Sequence, residues 1–369
     1  MHVLIAPDKF KGTLSAQEVA DAIAAGITSV DANLEVTKIP MADGGEGSLD
    51  ILSSLVDTEE VEVVVKNPLG RSIHATYLLA GESAYIEMSR ASGLLLLHRE
   101  EQNPLYTTTY GTGELALDAI SRGAKKIFVF LGGSATNDMG IGMAEALGYE
   151  FLDRDGDRVP PVGLSLAFIM DIKRVLRYDK DQISFYAITD VDNPLYGAEG
   201  ASQVFARQKG ADKYAAEILE KGVRKLSRKC KKILGSDVTR MSGAGAAGGL
   251  GGGIAAFLDG DISSGIDFMM DATGYIDILS HVDLVITGEG SLDNQTAHGK
   301  VVHGIAQSAS KAGIPVIALC GQSKLTKPPK EINHIYDLVS MTGSEESAMT
   351  DSAEKLKQLA AKAFANFVG

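Results

Sequence analysis

Short runs of β-forming residues alternate with helical patterns along most of the chain, and this alternation restricts the folds that the chain can adopt. Seven such runs are HVLIA (2–6), EVTKI (35–39), KIFVFL (126–131), ISFYAIT (183–189), DLVIT (283–287), PVIALCG (315–321) and YDLVS (336–340). Helical patterns lie between several of them, and one begins with Ser15 and Glu18 at the spacing of a capping box. Strands that alternate with helices predict a mostly parallel sheet in an α/β protein.

A chain of 369 residues is long enough for two domains. Its first part reads as one βαβ unit, and the segment from about residue 283 onward reads as two more. The middle opens with an antiparallel pair over residues 61–79, around the turn NPLG, and has strands and helices of its own. We therefore predict a discontinuous α/β domain from residues 1–65 and 283–369, and a middle domain from residues 66–282.

The charge and hydropathy of the chain exclude several classes of protein. A formal net charge of −13 argues against a general nucleic-acid binder, although local cations can still hold a small anionic substrate. No apolar run reaches the roughly 18 residues of a membrane span, and the amino terminus does not resemble a signal peptide. We expect a cytoplasmic enzyme that binds neither nucleic acid nor membrane; the sequence does not determine its oligomeric state.

Five of the predicted strands run directly into loops rich in glycine and polar side chains. These loops are PDKFKG (7–12), PMADGGEGS (40–48), GGSATND (132–138), DVDNPL (190–195) and GEGSLDNQT (288–296). Ligands of parallel α/β sheets bind outside the carboxyl ends of the strands, and glycines let backbone amides approach a ligand. A single loop of this kind is also what an ordinary helix start requires. Five together predict one ligand site.

Carboxylates in two of these loops indicate a metal or a base. Asp190 and Asp192 lie on the same side of an extended segment, which favours Mg²⁺, or one acid acting as a base, over an exposed acidic turn. Asp43 and Glu46 indicate metal or hydroxyl binding or, equally, the start of a helix. In GGSATND, Asp138 is either a ligand or a helix cap.

Cations and glycines complete the pattern. Lys9 and Lys11 suit an anionic substrate or phosphates. The run GAGAAG (243–248) fits G-x-G-x-x-G, but DVTRMS precedes it where a dinucleotide site requires a strand. A glycine-lined nucleotide pocket and close helix packing both remain open for this run. Acids, lysines and glycine-rich loops together suit phosphoryl transfer with one base.

Nine motifs spread along the chain resemble, in order, those of the glycerate kinase type 1 family. They are APDKFKGTLSA, PMADGGEGS, NPLGR, TTTYGTGEL, LGGSATND, DVDNPLYGAEGAS, VFARQKGA, GAGAAGGLG and DLVITGEGSLDNQTAHGK. The resemblance implies ATP- and Mg²⁺-dependent phosphorylation of D-glycerate, with 2-phosphoglycerate favoured over 3-phosphoglycerate. It also implies two α/β domains with the active site between them, one flavodoxin-like and one likened to restriction-endonuclease folds. We assign the flavodoxin-like fold to the middle domain.

Residue roles follow from this resemblance together with the loop chemistry. We expect Asp190 as general base, Lys11 as a second catalytic residue, and Asp192 and Glu289 as Mg²⁺ ligands. The expected substrate-binding residues are Lys9, Asp43, Arg71, Ser134 and Asn137, and the expected nucleotide-binding residues are Gly243, Gly245, Gly248 and Gly249. Ser291 stands where the family commonly has Arg, and Arg207 where it commonly has Pro. The alternatives are a non-catalytic hydroxy-acid sensor and a dinucleotide-dependent oxidoreductase.

Overall fold

The computed structural model describes residues 1–45, 47–293, 301–325 and 327–369, so Glu46 and the end of the last motif lie outside the described residues. The strands are β1 His2–Ile5, β2 Glu35–Lys38, β3 Glu59–Lys66, β4 Ser72–Ala80, β5 Ser83–Glu87, β6 Lys126–Phe130, β7 Tyr149–Leu152, β8 Asp171–Arg174, β9 Ser184–Ile188, β10 Asp261–Ser263, β11 Leu284–Leu292, β12 Val316–Ser323 and β13 His334–Asp337. The α-helices are α1 Ala16–Thr28, α2 Ser48–Leu55, α3 Ser89–Ser92, α4 Tyr110–Ser121, α5 Ile141–Ala146, α6 Ala201–Phe205, α7 Lys213–Leu234, α8 Ala246–Leu258, α9 Gly265–Ala272, α10 Tyr275–Leu279, α11 Val301–Lys311, α12 Leu338–Thr342, α13 Glu345–Met349 and α14 Ser352–Val368. None of the helices in these ranges combines the length and hydropathy that a membrane crossing requires.

The chain divides into two compact units, and one of them is built from both ends of the chain. Residues 1–43 and 265–369 form the first unit, and residues 44–264 form the second. The boundaries therefore differ from those expected near 65 and 282. Residue 65 lies inside β3, which pairs with β4 along its whole length and so belongs to the middle. Helix α9 belongs to the first unit, where Ile266 packs against Gly304 of α11.

The first unit is a parallel sheet in the order β13-β12-β11-β1-β2. Numbered along the chain, this is the 2-1-3-4-5 order of flavodoxin-like sheets. The flavodoxin-like order therefore occurs in the first unit and not, as expected, in the middle. The inner strands β1, β11 and β12 are mostly buried, and apolar residues of α1 and α14 cover one face of the sheet, including Ile23, Leu359 and Phe364.

The second unit has a mixed sheet in the order β10-β9-β6-β5-β4-β3. Its first four strands in this order are mutually parallel, and β4 and β3 are joined antiparallel as predicted for the hairpin around NPLG. The parallel strands follow one another across the sheet in chain order, without the reversal of a flavodoxin-like sheet. Strands β7 and β8 form a separate antiparallel ribbon. The α/β class with parallel sheets is confirmed.

Local sequence signals account for several helix starts. Ser15 accepts a hydrogen bond from the Glu18 backbone at 3.2 Å, and the Glu18 side chain accepts one from the Ser15 backbone at 2.8 Å, which completes the predicted capping box. Only the first two residues of the predicted strand YDLVS (336–340) belong to a strand, β13. The Asp337 side chain accepts a hydrogen bond from the Ser340 backbone at 2.8 Å and so begins helix α12 there.

A glycine in α1 provides a test of how this unit packs. A Cβ atom at Gly26 would lie 2.3 Å from the Lys357 carbonyl oxygen of α14. Helix propensity alone predicts that Gly26→Ala gains about 1 kcal/mol. We expect it instead to lower the free energy of unfolding by about 1–3 kcal/mol, because the helices must move apart.

Urea denaturation monitored by circular dichroism measures this change. Exposed Ala25 is the matched control, and Ala25→Gly should lose about 1 kcal/mol from helix propensity alone. A denaturation midpoint above that of the wild type for Gly26→Ala would show that α1 and α14 are not in this close contact.

Candidate functional site

In the first unit, the carboxyl ends of β1 and β11 meet where the strand order reverses, which is where ligands bind in open α/β sheets. Strand β11 continues beyond its last pair with β1, and the loop after β1 follows it. The Asp8 backbone donates a hydrogen bond to the Gly288 carbonyl at 2.8 Å. A Cβ atom at Gly290 would lie 3.3 Å from the Lys11 backbone nitrogen. The glycines of GEGSLD thus let the lysine-bearing loop lie directly on β11.

The loop after β2 reaches the same edge of this sheet. The Met41 backbone donates a hydrogen bond to the Pro7 carbonyl at 2.8 Å, and Asp43 follows two residues later. Glu289 is 6% exposed, whereas Lys11 is exposed. The first unit therefore brings together four of the predicted site residues: Lys9, Lys11, Asp43 and Glu289.

In the second unit, Asp190 and Asp192 follow β9 and are held by different neighbours. The Ser264 hydroxyl donates a hydrogen bond to Asp190 Oδ1 at 2.9 Å, and the Ser242 hydroxyl donates one to Asp192 Oδ1 at 2.9 Å. Asp190 is half-buried and Asp192 is exposed. One carboxylate is thus oriented from the end of β10, and the other from the start of the glycine run.

The glycine run packs against both polar loops of the second unit. A Cβ atom at Gly248 would lie 2.0 Å from the Thr136 carbonyl oxygen, and one at Gly245 would lie 2.4 Å from the Pro194 carbonyl oxygen. The predicted nucleotide-binding positions, all of them buried, are Gly243, Gly245, Gly248 and Gly249. Close packing therefore accounts for these contacts, and contact with a nucleotide stays a prediction.

Asp138 is a buried cap that joins two helices. Its carboxylate accepts hydrogen bonds from the Thr109 backbone and hydroxyl, each at 2.7 Å, and from the backbones of Gly140 at 3.1 Å and Gly142 at 3.3 Å. Burial raises the pKa of the Asp138 carboxyl, and these hydrogen bonds oppose the shift. This geometry selects the cap over the ligand among the two possibilities left by the sequence.

The predicted substrate residues of GGSATND differ in their access to solvent. Asn137 is fully buried, and its amide donates a hydrogen bond to the Ser202 hydroxyl at 3.2 Å. Ser134 is also buried but retains 8% exposure. Of the two, Ser134 is the more accessible, and contact of either residue with a substrate stays a prediction.

The side chain of Lys209 contacts the loop GGSATND. This residue belongs to the motif VFARQKGA, but nothing in the sequence was a reason to assign it a role. It is 2% exposed, and its ammonium group donates hydrogen bonds to the Ser134 hydroxyl and, at 2.7 Å, to the Thr136 carbonyl. Burial lowers the pKa of Lys209 to about 7, and the charge of Asp138 opposes this shift. Its position in a family motif could have marked Lys209 as a candidate site residue, but the sequence did not show that its side chain is buried.

Glu87, at the end of β5, is a second buried charge that the sequence analysis missed. It accepts hydrogen bonds from the backbones of Gly47 at 2.9 Å and Leu49 at 3.1 Å, at the start of α2. Burial raises the pKa of Glu87, while these hydrogen bonds and Arg90 lower it. Glu87 was missed because the strand that it ends, β5, was not predicted.

Arg71 lies at the turn NPLG, where Asn67 Oδ1 accepts hydrogen bonds from the backbones of Leu69 and Arg71 at 2.9 and 3.0 Å. The Arg71 guanidinium forms an ion pair with Glu101 at 2.7 Å, and its side chain is 62% exposed. An exposed pair of this kind contributes about 0–1 kcal/mol to stability, so it does not prevent Arg71 from turning toward an anion.

Known proteins are similar to this chain over nearly its whole length. Residues 3–368 match the Glycerate kinase family. The chain is 39% identical over 367 residues to a glycerate kinase of Halalkalibacterium halodurans, covering 97% of this chain and 96% of that protein. It is 41% identical over 326 residues to the glycerate 2-kinase of Escherichia coli, covering 87% of this chain and 85% of that one.

A solved structure agrees with these sequence matches. The crystal structure of a putative glycerate kinase 2 from Salmonella typhimurium LT2 superposes with a TM-score of 0.87 at 36% identity, covering 100% of this chain and 98% of that one. The match of the family across the full length, together with this fold, shows that the chain belongs to the glycerate kinase family.

Proposed function

We propose that the chain is an ATP-dependent kinase that phosphorylates D-glycerate, with 2-phosphoglycerate as the favoured product. The observation that carries this proposal is the placement of the family motifs in each unit. The motifs that contain the predicted acids and lysines, and the glycines of GGSATND, are the loops at the carboxyl ends of parallel strands. That edge is where α/β proteins bind ligands. The relatives named glycerate kinase and glycerate 2-kinase supply the substrate and the favoured hydroxyl.

Asp190 is the proposed base for the glycerate hydroxyl. The hydrogen bond from Ser264 to Oδ1 fixes the orientation of the carboxylate, and its half-buried position limits competition from water. A carboxylate held in this way can accept the hydroxyl proton as the oxygen attacks the terminal phosphorus of ATP.

Lys9 and Lys11 are the proposed cations for the transferred phosphoryl group or the substrate carboxylate. Their backbone is anchored along β11, through Asp8 and the contact with Gly290, so their side chains extend from a fixed base. A cation that meets negative charge as it develops lowers the barrier to transfer.

Asp192 and Glu289 are the proposed Mg²⁺ ligands. Within the described residues, no group of three or more His, Cys, Asp or Glu lies close enough to hold a metal. Mg²⁺ in kinases is bound through one or two carboxylates together with substrate phosphates, and carboxylates are the groups that these two residues offer. When bound, the ion neutralises charge on the phosphate oxygens. The Ser242 hydroxyl holds the Asp192 carboxylate in a fixed orientation.

Incubation of the protein with ATP, Mg²⁺ and D-glycerate tests the proposed activity and its regiochemistry. We expect a ³¹P NMR signal of 2-phosphoglycerate and ADP release that requires D-glycerate. A 3-phosphoglycerate signal would overturn the favoured product alone. Glycerate binding without ADP release would favour the non-catalytic sensor, and tight NAD(P) binding would favour the oxidoreductase.

Replacement of the base should slow turnover with little effect on folding. We expect Asp190→Asn to lower kcat about 10²- to 10⁴-fold, because the amide cannot accept the hydroxyl proton. Exposed Asp155 provides the matched control, and Asp155→Asn should retain wild-type kinetics. Unfolding temperatures should be similar for all three proteins. Near-wild-type kcat in folded Asp190→Asn would exclude Asp190 as the base.

Replacement of a proposed metal ligand should change the Mg²⁺ requirement. We expect Asp192→Asn and Glu289→Gln each to raise the Mg²⁺ concentration for half-maximal rate by about tenfold or more, since each removes a charged ligand. Titration of the rate with Mg²⁺ at fixed ATP measures this shift, and Asp155→Asn again serves as the control. An unchanged Mg²⁺ titration would exclude that residue as a ligand.

A further inference from the structure

Lys209 is a buried lysine, which is uncommon in protein interiors. A lysine normally buries its methylene chain and keeps the ammonium group in water, because an ammonium group without compensation is costly to bury. Here the whole side chain is enclosed, and the two acceptors of its hydrogen bonds, Ser134 and the Thr136 carbonyl, are uncharged. An apolar side chain would avoid the cost of burying a charge, but it would leave the Ser134 hydroxyl and the Thr136 carbonyl without this donor, so the hydrogen bonds themselves need an explanation.

The two hydrogen bonds fix one loop at two points. Both acceptors belong to GGSATND. The Thr136 carbonyl oxygen, which accepts one of these hydrogen bonds, also packs closely against Gly248. Two further buried polar atoms of this loop, Thr136 Oγ1 and Asn137 Oδ1, have no hydrogen-bond partner among the described residues. The loop thus carries more polar capacity than the fold itself uses, which is common at functional sites.

The hydrogen bond to Ser134 also determines where the hydroxyl proton of that serine points. A hydroxyl has one donor and two acceptor positions. When the Lys209 ammonium occupies an acceptor position, the Ser134 proton is left to donate elsewhere, and Ser134, at 8% exposure, is the more accessible member of this pair. An ammonium group can only donate, whereas a neutral amine can also accept, so the orientation is enforced only while Lys209 is charged.

We propose that Lys209 is a positioning residue that acts through Ser134, directing the serine hydroxyl as a donor to the carboxylate of the acceptor substrate. This inference rests on the proposed function, and it adds a residue that determines affinity for the organic acid rather than for ATP. Because Lys209 does not itself reach the surface, its effect should appear entirely through Ser134.

Kinetic constants for both substrates test the proposal. We expect Lys209→Met to raise KM for D-glycerate roughly 10- to 100-fold, the worth of a hydrogen bond to a charged group, with KM for ATP within about twofold of wild type. Exposed Lys213 provides the matched control, and Lys213→Met should change neither constant. Equal increases in both KM values, or no change in a folded variant, would overturn the proposal.

A double-mutant cycle separates positioning from a general structural role. If Lys209 acts through Ser134, the KM of Ser134→Ala/Lys209→Met should equal that of the more affected single variant. Multiplicative effects would show that the two residues act independently and would overturn the proposal.

The wild-type protein gives a test that does not depend on a variant folding. KM for D-glycerate should rise as pH increases through the range in which Lys209 loses its proton, near pH 7, while KM for ATP should not follow it. Asp138 is the titratable group whose charge acts on Lys209, and the hydrogen-bond partners Ser134 and Thr136 do not titrate in this range. A KM for D-glycerate that stays flat across the pH range in which the Lys209 side chain is seen to titrate by NMR would overturn the proposal.

NMR of ¹³C-lysine-labelled protein keeps this inference distinct from the proposed function. A Lys209 signal, identified by its loss in Lys209→Met, should titrate in the wild-type protein and shift when D-glycerate is added. Absence of turnover together with that shift would contradict the kinase proposal only. Turnover without that shift would contradict the role of Lys209 only.

Discussion

Parallel pairing of the strands determines where the polar loops of this protein lie. In a parallel sheet all carboxyl ends emerge at one edge, so loops far apart in the sequence become neighbours without any interaction between their side chains. In the first unit this brings the loop after β1 against β11 across more than 270 positions of sequence, through backbone hydrogen bonds such as that from Asp8 to Gly288. In the second unit it aligns the loops that follow β6, β9 and β10. The side chains then need only local support to face a ligand.

Buried charge provides much of that local support in the second unit. Asp138 joins the starts of α4 and α5, Glu87 holds the start of α2, and Lys209 holds GGSATND from behind. Burial shifts the pKa of each in the direction that favours its neutral form, and hydrogen bonds to Asp138 and Glu87, Arg90 near Glu87, and the charge of Asp138 near Lys209 oppose these shifts. A hydrophobic side chain in any of these positions would leave backbone amides or carbonyls of a loop without partners. The charges therefore maintain loop geometry more than they add to overall stability.

The sequence predicted the elements with strong periodicity and missed those defined by pairing. Strand β1 and helix α1 with its capping box begin at the predicted positions. Strands β5, β7, β8 and β10 were not predicted, since they are three to five residues long and depend on pairing with neighbouring strands. The flavodoxin-like order was assigned to the wrong unit because strand order depends on contacts between distant segments. The domain boundary near residue 65 failed for the same reason, since it divided β3 from the strand it pairs with.

Burial explains why the site was predicted in part. The acids and lysines of the strand-end loops could be identified because their chemistry and position are both visible in the sequence. Whether a polar residue supports a loop or faces a ligand depends on its depth, which the sequence does not show. Asp138 and Ser134 are four residues apart in one loop, yet one is a fully enclosed cap and the other retains 8% exposure. Lys209 belongs to the enclosed group with Asp138, and the direction of its hydrogen bond to Ser134 connects that supporting layer to the residue that can meet a substrate. In this loop, residues that support the fold and residues proposed to bind substrate are therefore only a few positions apart. Lys209, which lies outside the loop in the sequence, supports the loop and also orients the serine proposed to bind substrate.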